Sequence, residues 1–289
     1  MDNTKDVKAL YDNLYELKSR QKLTIEEKKI FCNILSHLVT SNAHTPEELT
    51  AALLESAAKL KSFAGNEDII ELFCESISKS GLSSQALLKD ALAYDEFSPA
   101  SSAKIVYVKN NNSDAAFVSF STLFKNPTVS YKSSFDEVCE DVYNGTGDFC
   151  ILPIENGNGV KLFSFYSIID KYELKIFAVC DIYEANSEHS TRYALLSRKT
   201  AAHSETKSPS YIEFSIIADN GHELPDILCA ANQCEIKLFR IDTVSVPYDD
   251  SRFRYYLVFE CFGKKAIPFL LYLNFKYPQH KNIGYYISL

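Results

Sequence analysis

Cys150-Ile-Leu-Pro-Ile-Glu-Asn-Gly-Asn-Gly-Val160 is the stretch on which the fold turns. An apolar run stops at Pro153, which cannot donate to a strand ladder, and two glycines then let the chain reverse. Glu155 and Asn156 are thereby expected at the carboxyl end of a strand, where α/β units bind ligands. The surrounding pattern is βαβ in character. Residues 105–108 read as a buried strand, Ser134-Phe-Asp-Glu137 as the capped start of a helix through Val142, and Asn144-Gly145 as its end. A strand at 149–152, a helix at 163–172 and strands at 174–182 and 193–197 follow. After the first strand, Lys109-Asn-Asn-Asn-Ser-Asp114 reads as a loop, although asparagines can also form anion-binding turns.

The 289 residues, 46% hydrophobic and 24% charged, are ordinary soluble composition with room for two or three modules. A net charge of −8 argues against general nucleic-acid binding, which needs clustered cations. No apolar segment follows Met1, so the expectation is no leader, no membrane anchor and a cytoplasmic location. The eight cysteines make no Cys-x-x-Cys pair and the six histidines show no ligand spacing. They read as buried reduced thiols with no metal and no cofactor.

Residues 1–95 read as helix. Leu10, Leu14, Leu17 and then Ile30, Phe31, Ile34, Leu35 and Leu38 recur at helical spacing as one long first helix. Thr45-Pro-Glu-Glu48 starts a second through a capping box, and a third carries Ile69, Ile70, Phe73 and Ile77 on towards Tyr94. Residues 96–103 and 199–209 read as linkers. Beyond them lies a βαββαβ order: strand 211–218, helix 224–231, strands 236–246 and 254–262, helix 266–275, strand 283–289.

Pro153-Ile-Glu-Asn-Gly157 resembles the Pro-Ile-Glu-Asn-Ser signature of prephenate dehydratase, and Ser190-Thr-Arg-Tyr-Ala-Leu-Leu196 is similar to that family's Thr-Arg-Phe motif. Phe73-Cys-Glu-Ser-Ile-Ser-Lys-Ser-Gly-Leu-Ser-Ser-Gln-Ala-Leu-Leu88 looks like the end of the chorismate mutase that precedes the dehydratase in bifunctional proteins of phenylalanine synthesis. The βαββαβ segment, with Gly221-His-Glu-Leu224 and Ile241-Asp-Thr-Val-Ser245, looks like their ACT regulatory domain. The resemblance implies a multidomain α+β chain. Its parts would be a three-helix chorismate mutase-like segment (1–95), one lobe of a periplasmic-binding-like prephenate dehydratase domain (103–198) and a ferredoxin-like ACT domain (209–289). It makes Thr191 the catalytic residue, places substrate on Glu155, Asn156 and Arg192, and assigns a small aromatic or amino-acid effector to Gly221, Leu224 and Asp242.

Departures from the pattern decide the functional reading. Only residues 156–190 separate Glu155 from Thr191, where the family has a whole second lobe, and the first strand is followed by asparagines instead of a glycine turn. Aligned without gaps, the mutase's cations fall on Tyr11, Lys28 and Val39 and its Arg-Glu pair on Glu47-Glu48, while its late glutamine falls on Ser84 with Gln85 one place too far. A dianion needs preorganised cations, so the reading is a mutase-like fold without its pocket chemistry, with an unrelated helical bundle as the alternative. The expected function is a catalytically degenerate relative that binds or regulates in aromatic amino-acid metabolism. A residual prephenate dehydratase and a purely structural dimer scaffold are the alternatives. The truncated lobe, the apolar run Phe269-Leu-Leu-Tyr-Leu-Asn-Phe275 and the large residues of 283–289 all call for cover, and a homodimer is expected to supply it.

Overall fold

A computed structural model describes residues 12, 23–61, 69–79, 94–96, 102–155, 160–183, 190–202, 210–218, 223–246, 249–261 and 266–289. Helix α1 (Ile25–Asn42) begins at a capping box: the Thr24 side chain accepts from the Glu27 amide, and the Glu27 carboxylate accepts from the Thr24 amide at 2.9 Å. The sequence reading runs its long first helix through this start. Helix α2 (Pro46–Lys61) starts where expected, the Glu48 amide donating to Thr45 Oγ1 at 3.2 Å and the Glu48 carboxylate accepting from the His44 amide at 2.9 Å. Helix α3 (Ile69–Ser78) packs on α1, with the Cys32 thiol on the Ile69 carbonyl at 3.4 Å and the Ser36 and Ser76 hydroxyls 2.8 Å apart. Residues 80–93, through which the third helix is expected to continue, lie outside the described residues, and Tyr94 opens strand β1 (Tyr94–Glu96).

The middle of the chain supplies β2 (Ala103–Val108), α4 (Asn111–Ser121), β3 (Pro127–Lys132), α5 (Phe135–Tyr143), β4 (Phe149–Pro153), α6 (Phe163–Lys171), β5 (Lys175–Tyr183), β6 (Ser190–Ser197) and β7 (Thr200–Ala202). Here α4 begins inside the expected loop 109–114, and β3 lies in a stretch to which the sequence reading assigns no element. Asn110 caps α4 by accepting from the Ser113 amide at 2.9 Å, so the asparagine run is a helix start rather than a turn. The predicted ends of α5 are found: Ser134 caps it and Gly145 closes it at φ +75°. The C-terminal segment supplies β8 (Ser210–Ala218), α7 (Glu223–Gln233), β9 (Lys237–Val246), β10 (Asp249–Cys261), α8 (Ala266–Lys276) and β11 (Lys281–Ser288), the expected βαββαβ order.

Nine strands form one sheet in the order β3-β2-β4-β6-β5-β11-β8-β10-β9. Strands β3, β2 and β4 run parallel, β6 is antiparallel to both β4 and β5, and β11, β8, β10 and β9 each run antiparallel to the next. The join is the parallel pairing of β5 with β11, so the sheet runs on across the boundary between the middle and C-terminal segments. Gly284 makes the join close, since a Cβ there would lie 2.7 Å from the Ile176 carbonyl oxygen. A small second sheet pairs β1, at the end of the segment read as helical, with β7 from the segment read as the second linker.

Helices α5 and α6 cover one face of the sheet; α4 covers the other face over the middle strands, and α7 and α8 cover it over the C-terminal strands. The N-terminal helices lie outside α8 and share its core, with the Phe73 and Phe275 rings 6.4 Å apart. Two of the surfaces from which a homodimer is expected, the 269–275 run and the 283–289 strand, are covered within the chain. Phe269, Leu271 and Leu273 are buried with α1 and α3, and Ile283 and Tyr286 lie under α6. Among the described residues no helix is long and apolar enough to cross a membrane. Most of the cysteines are buried, but Cys229 on α7 is exposed.

Candidate functional site

Strand β4 ends at Pro153, and the chain turns back so that Glu155 bridges Lys161 and the Leu162 amide donates to the Ile154 carbonyl at 2.9 Å. This reversal points Glu155 and Lys161 into the seam between the middle strands and the C-terminal sheet. The seam is lined by α6 on one side and by β8, β9, β10 and β11 on the other. Tyr166 of α6 stacks on Tyr256 of β10 with centroids 3.7 Å apart.

Glu155 is 8% exposed and fully engaged. Its Oε1 accepts from Arg240 Nη1 at 2.9 Å, and Arg192 Nη1 stands 4.0 Å away. Each guanidinium is held in turn by an aspartate in a fork. Arg192 donates from Nε and Nη2 to Asp181 at 2.8 and 2.9 Å, and Arg240 reaches Asp242 from Nε and Nη2 at 2.7 and 3.0 Å. Burial pushes the Glu155 carboxyl above its ordinary range, against the pull of Arg192, Arg240 and Lys161.

Deeper in the seam Glu213 is 0% exposed, a lone charge in the otherwise apolar β8. It accepts from Lys161 Nζ at 2.5 Å, from the Tyr166 hydroxyl at 2.7 Å and from the Tyr286 hydroxyl at 2.8 Å. Burial alone would raise its pKa, but the Lys161 charge and the donated hydrogen bonds win and hold it below the ordinary carboxylate range. Burial and the Glu213 charge push the Tyr166 and Tyr286 phenols upward, so both stay donors.

Sheet register decides which expected site residues meet. Strands β5 and β6 pair Arg192 with Asp181 and Thr191 with Ile182. Successive strand residues face opposite ways. Arg192 therefore faces the seam with Glu155, while Thr191 faces the α4 side, where Ile182 packs against the Phe177 core. Thr191 thus points away from Glu155 and Arg192, which the register brings to the same face. Asn156 and Gly221 lie outside the described residues. Leu224, in the first turn of α7, packs on the helix-covered face of the C-terminal strands, whereas Asp242 lies on the seam face and is bound to Arg240. The expected effector pair is divided by the sheet.

Arg240, Lys161, Glu213, Tyr166 and Tyr286 were not singled out by sequence. Glu213 carried a signal, since an isolated carboxylate in an apolar strand requires a buried partner. Arg240 carried less, because a register shift where Leu238 and Arg240 face Phe259 and Val258 makes Phe239 an extra residue and turns Arg240 to the seam. Charge matching limits what the seam can bind. Lys161, Arg192 and Arg240 face the carboxylates of Glu155, Asp181, Glu213 and Asp242, leaving no cation in excess to hold a dicarboxylate.

No family model matches this chain, and no curated protein matches it. Solved structures do. Prephenate dehydratase from Streptococcus mutans aligns at TM-score 0.53 and 17% identity over 64% of this chain and 98% of that one. A protein described as GqqA, a novel type of quorum quenching acylase, aligns at TM-score 0.50 and 13% identity over 64% of this chain and 95% of that one. At these identities the likeness shows the fold: a mixed α/β chain built like prephenate dehydratase.

Proposed function

We propose that the chain is a catalytically degenerate relative of prephenate dehydratase that works as a binding or regulatory protein in aromatic amino-acid metabolism. The observation that carries this reading is the Arg240–Glu155 contact at 2.9 Å, which fills the place where Glu155 would meet substrate. The Asp181 fork on Arg192 and the turn of Thr191 to the α4 face point the same way. Residues 156–190 supply α6 and β5, and among the described residues no second lobe faces Glu155 to exclude water from a departing hydroxyl. Fold alone does not select the activity, because the similar fold of the quorum quenching acylase carries another name and another chemistry.

In the N-terminal helices Val39 lies in the apolar core where a mutase would need a cation, and the Glu48 carboxylate is spent on a helix start. The C-terminal segment is proposed to be an ACT-like unit whose sheet face is used on α6 of its own chain, and one copy of the chain is proposed to be stable by itself.

Prephenate and chorismate, each incubated with the purified chain, are expected to give no turnover in the usual enzyme range of about 1–10³ per second. Phenylpyruvate formation that disappears in Thr191→Ala would overturn the reading in favour of a residual dehydratase. The regulatory half is tested by adding the chain to an active prephenate dehydratase. A changed rate or phenylalanine response is expected, and no change at saturating chain would overturn it.

A further inference from the structure

A cavity of about 400 Å³ opens on the far side of α6 from Glu155, between the carboxyl end of that helix and strands β5, β6 and β11. Ile169, Leu174 and Ile283 give it an apolar wall, and Lys175, Arg198 and Lys281 give it cations. Lys281 is matched by Asp170 at 2.8 Å. Lys175 and Arg198 are not matched in this way: among the described residues neither has a carboxylate at ion-pair distance. Lys175 Nζ donates to the Asn282 carbonyl at 2.5 Å, and Arg198 Nη1 donates to the Tyr143 carbonyl at 3.1 Å. Glu173 is the remaining carboxylate of the lining, so two open cations face one acid.

Helix geometry accounts for part of this arrangement. Glu173 has φ +52° because it ends α6 in a left-handed turn, with the Leu174 amide donating to the Ile169 carbonyl at 2.9 Å. Cations beside a helix carboxyl end are favourable in their own right. That explains Lys281, which is already neutralised. It does not satisfy Lys175, whose ammonium carries three donors with one used on Asn282. Burial and the nearby Lys281 charge push Lys175 below its ordinary value, against the weaker pull of Asp170 and Glu173.

We propose that this cavity binds a small organic monocarboxylate, its carboxylate on Lys175 and Arg198 and its apolar body against Ile169, Leu174 and Ile283. The volume suits a compact ligand, and convergent cations beside a small apolar patch of Ile169, Leu174 and Ile283 suit one with a single carboxylate and a short apolar body. The site is independent of the Glu155 seam.

Calorimetric titration of the full chain with benzoate and with hexanoate tests the proposal, with benzamide and hexanamide as neutral partners. At least one acid is expected to bind saturably in the millimolar range, and neither amide. Lys175→Met is expected to weaken binding about tenfold, the loss of one charge-assisted hydrogen bond, and Lys175→Arg to restore most of it. Arg198→Gln, at a more exposed position, decides the matter if Lys175→Met fails to fold, and weaker binding is expected there too. Absence of binding by both acids, amides that bind as well as acids, or unchanged affinity in the variants would overturn the proposal.

Discussion

The Lys161 ammonium and the Glu213 carboxylate meet 2.5 Å apart with side-chain exposures of 4% and 0%, joining the turn after β4 to the middle of the C-terminal sheet. Breaking such a pair from one side leaves an uncompensated buried charge. Lys161→Met is expected to destabilise the chain by about 3–5 kcal/mol, whereas Lys161→Met combined with Glu213→Leu recovers much of the loss. Urea unfolding of the single and double variants measures both. A single variant within experimental error of wild type would show that the pair does not hold the seam.

Acid sensitivity follows from the same carboxylate. Glu213 is held below its ordinary value in the folded chain, so its ionised form contributes stability at pH above the unfolded glutamate value of about 4.3. That contribution is lost as pH falls through the folded value. Glu155, raised by burial, acts with the opposite sign. Unfolding free energy measured from neutral pH down to acid should fall less steeply in Glu213→Gln than in wild type. An identical slope would exclude Glu213 as the source.

Gly284→Ala tests the join of the sheet. The new Cβ would meet backbone and side chain of Ile176 at 2.7 and 2.9 Å, and neither can withdraw without moving β5 from β11. A loss of roughly 1–3 kcal/mol is expected. Amide exchange should quicken across β5 and β11 and stay slow in β2, which pairs far from the join. Uniform quickening would mean that the join is not a separate weak point.

One copy of the chain is expected to be its own folding unit, because α1 and α3 cover α8, and α6 covers the C-terminal sheet. The melting temperature should therefore not change over a hundredfold range of protein concentration, about 1–100 µM, as it would for an obligate dimer. A midpoint that climbs with concentration would favour the homodimer instead.

Local chemistry made much of the fold legible. Caps at Thr45 and Ser134, the stop at Asn144-Gly145 and the apolar strands of the C-terminal segment all lie where short-range pattern places them. Helix α4 was hidden because Asn111-Asn-Ser-Asp114 reads as turn chemistry, and only Phe120 and Ala116 sinking into the sheet make it a helix. Residues Glu155 and Arg192 were legible through their motifs, and the structure does bring them together. Their partner Arg240 was not, since its side depends on one extra residue in β9. Nor could sequence show that β5 and β11 pair, because apolar strands state which faces are buried and not which neighbours they choose.

The place of β11 in the sheet also sets an order of events during synthesis. Of the nine strands it is made after all the others, yet it lies sixth in the row, with β5 on one side and β8 on the other. Until Lys281–Ser288 has left the ribosome, two half-sheets each expose an unpaired apolar edge towards the other. Such edges invite strands from neighbouring chains. A nascent chain of this design is therefore at its most vulnerable before β11 emerges, and chaperone capture should peak in that interval.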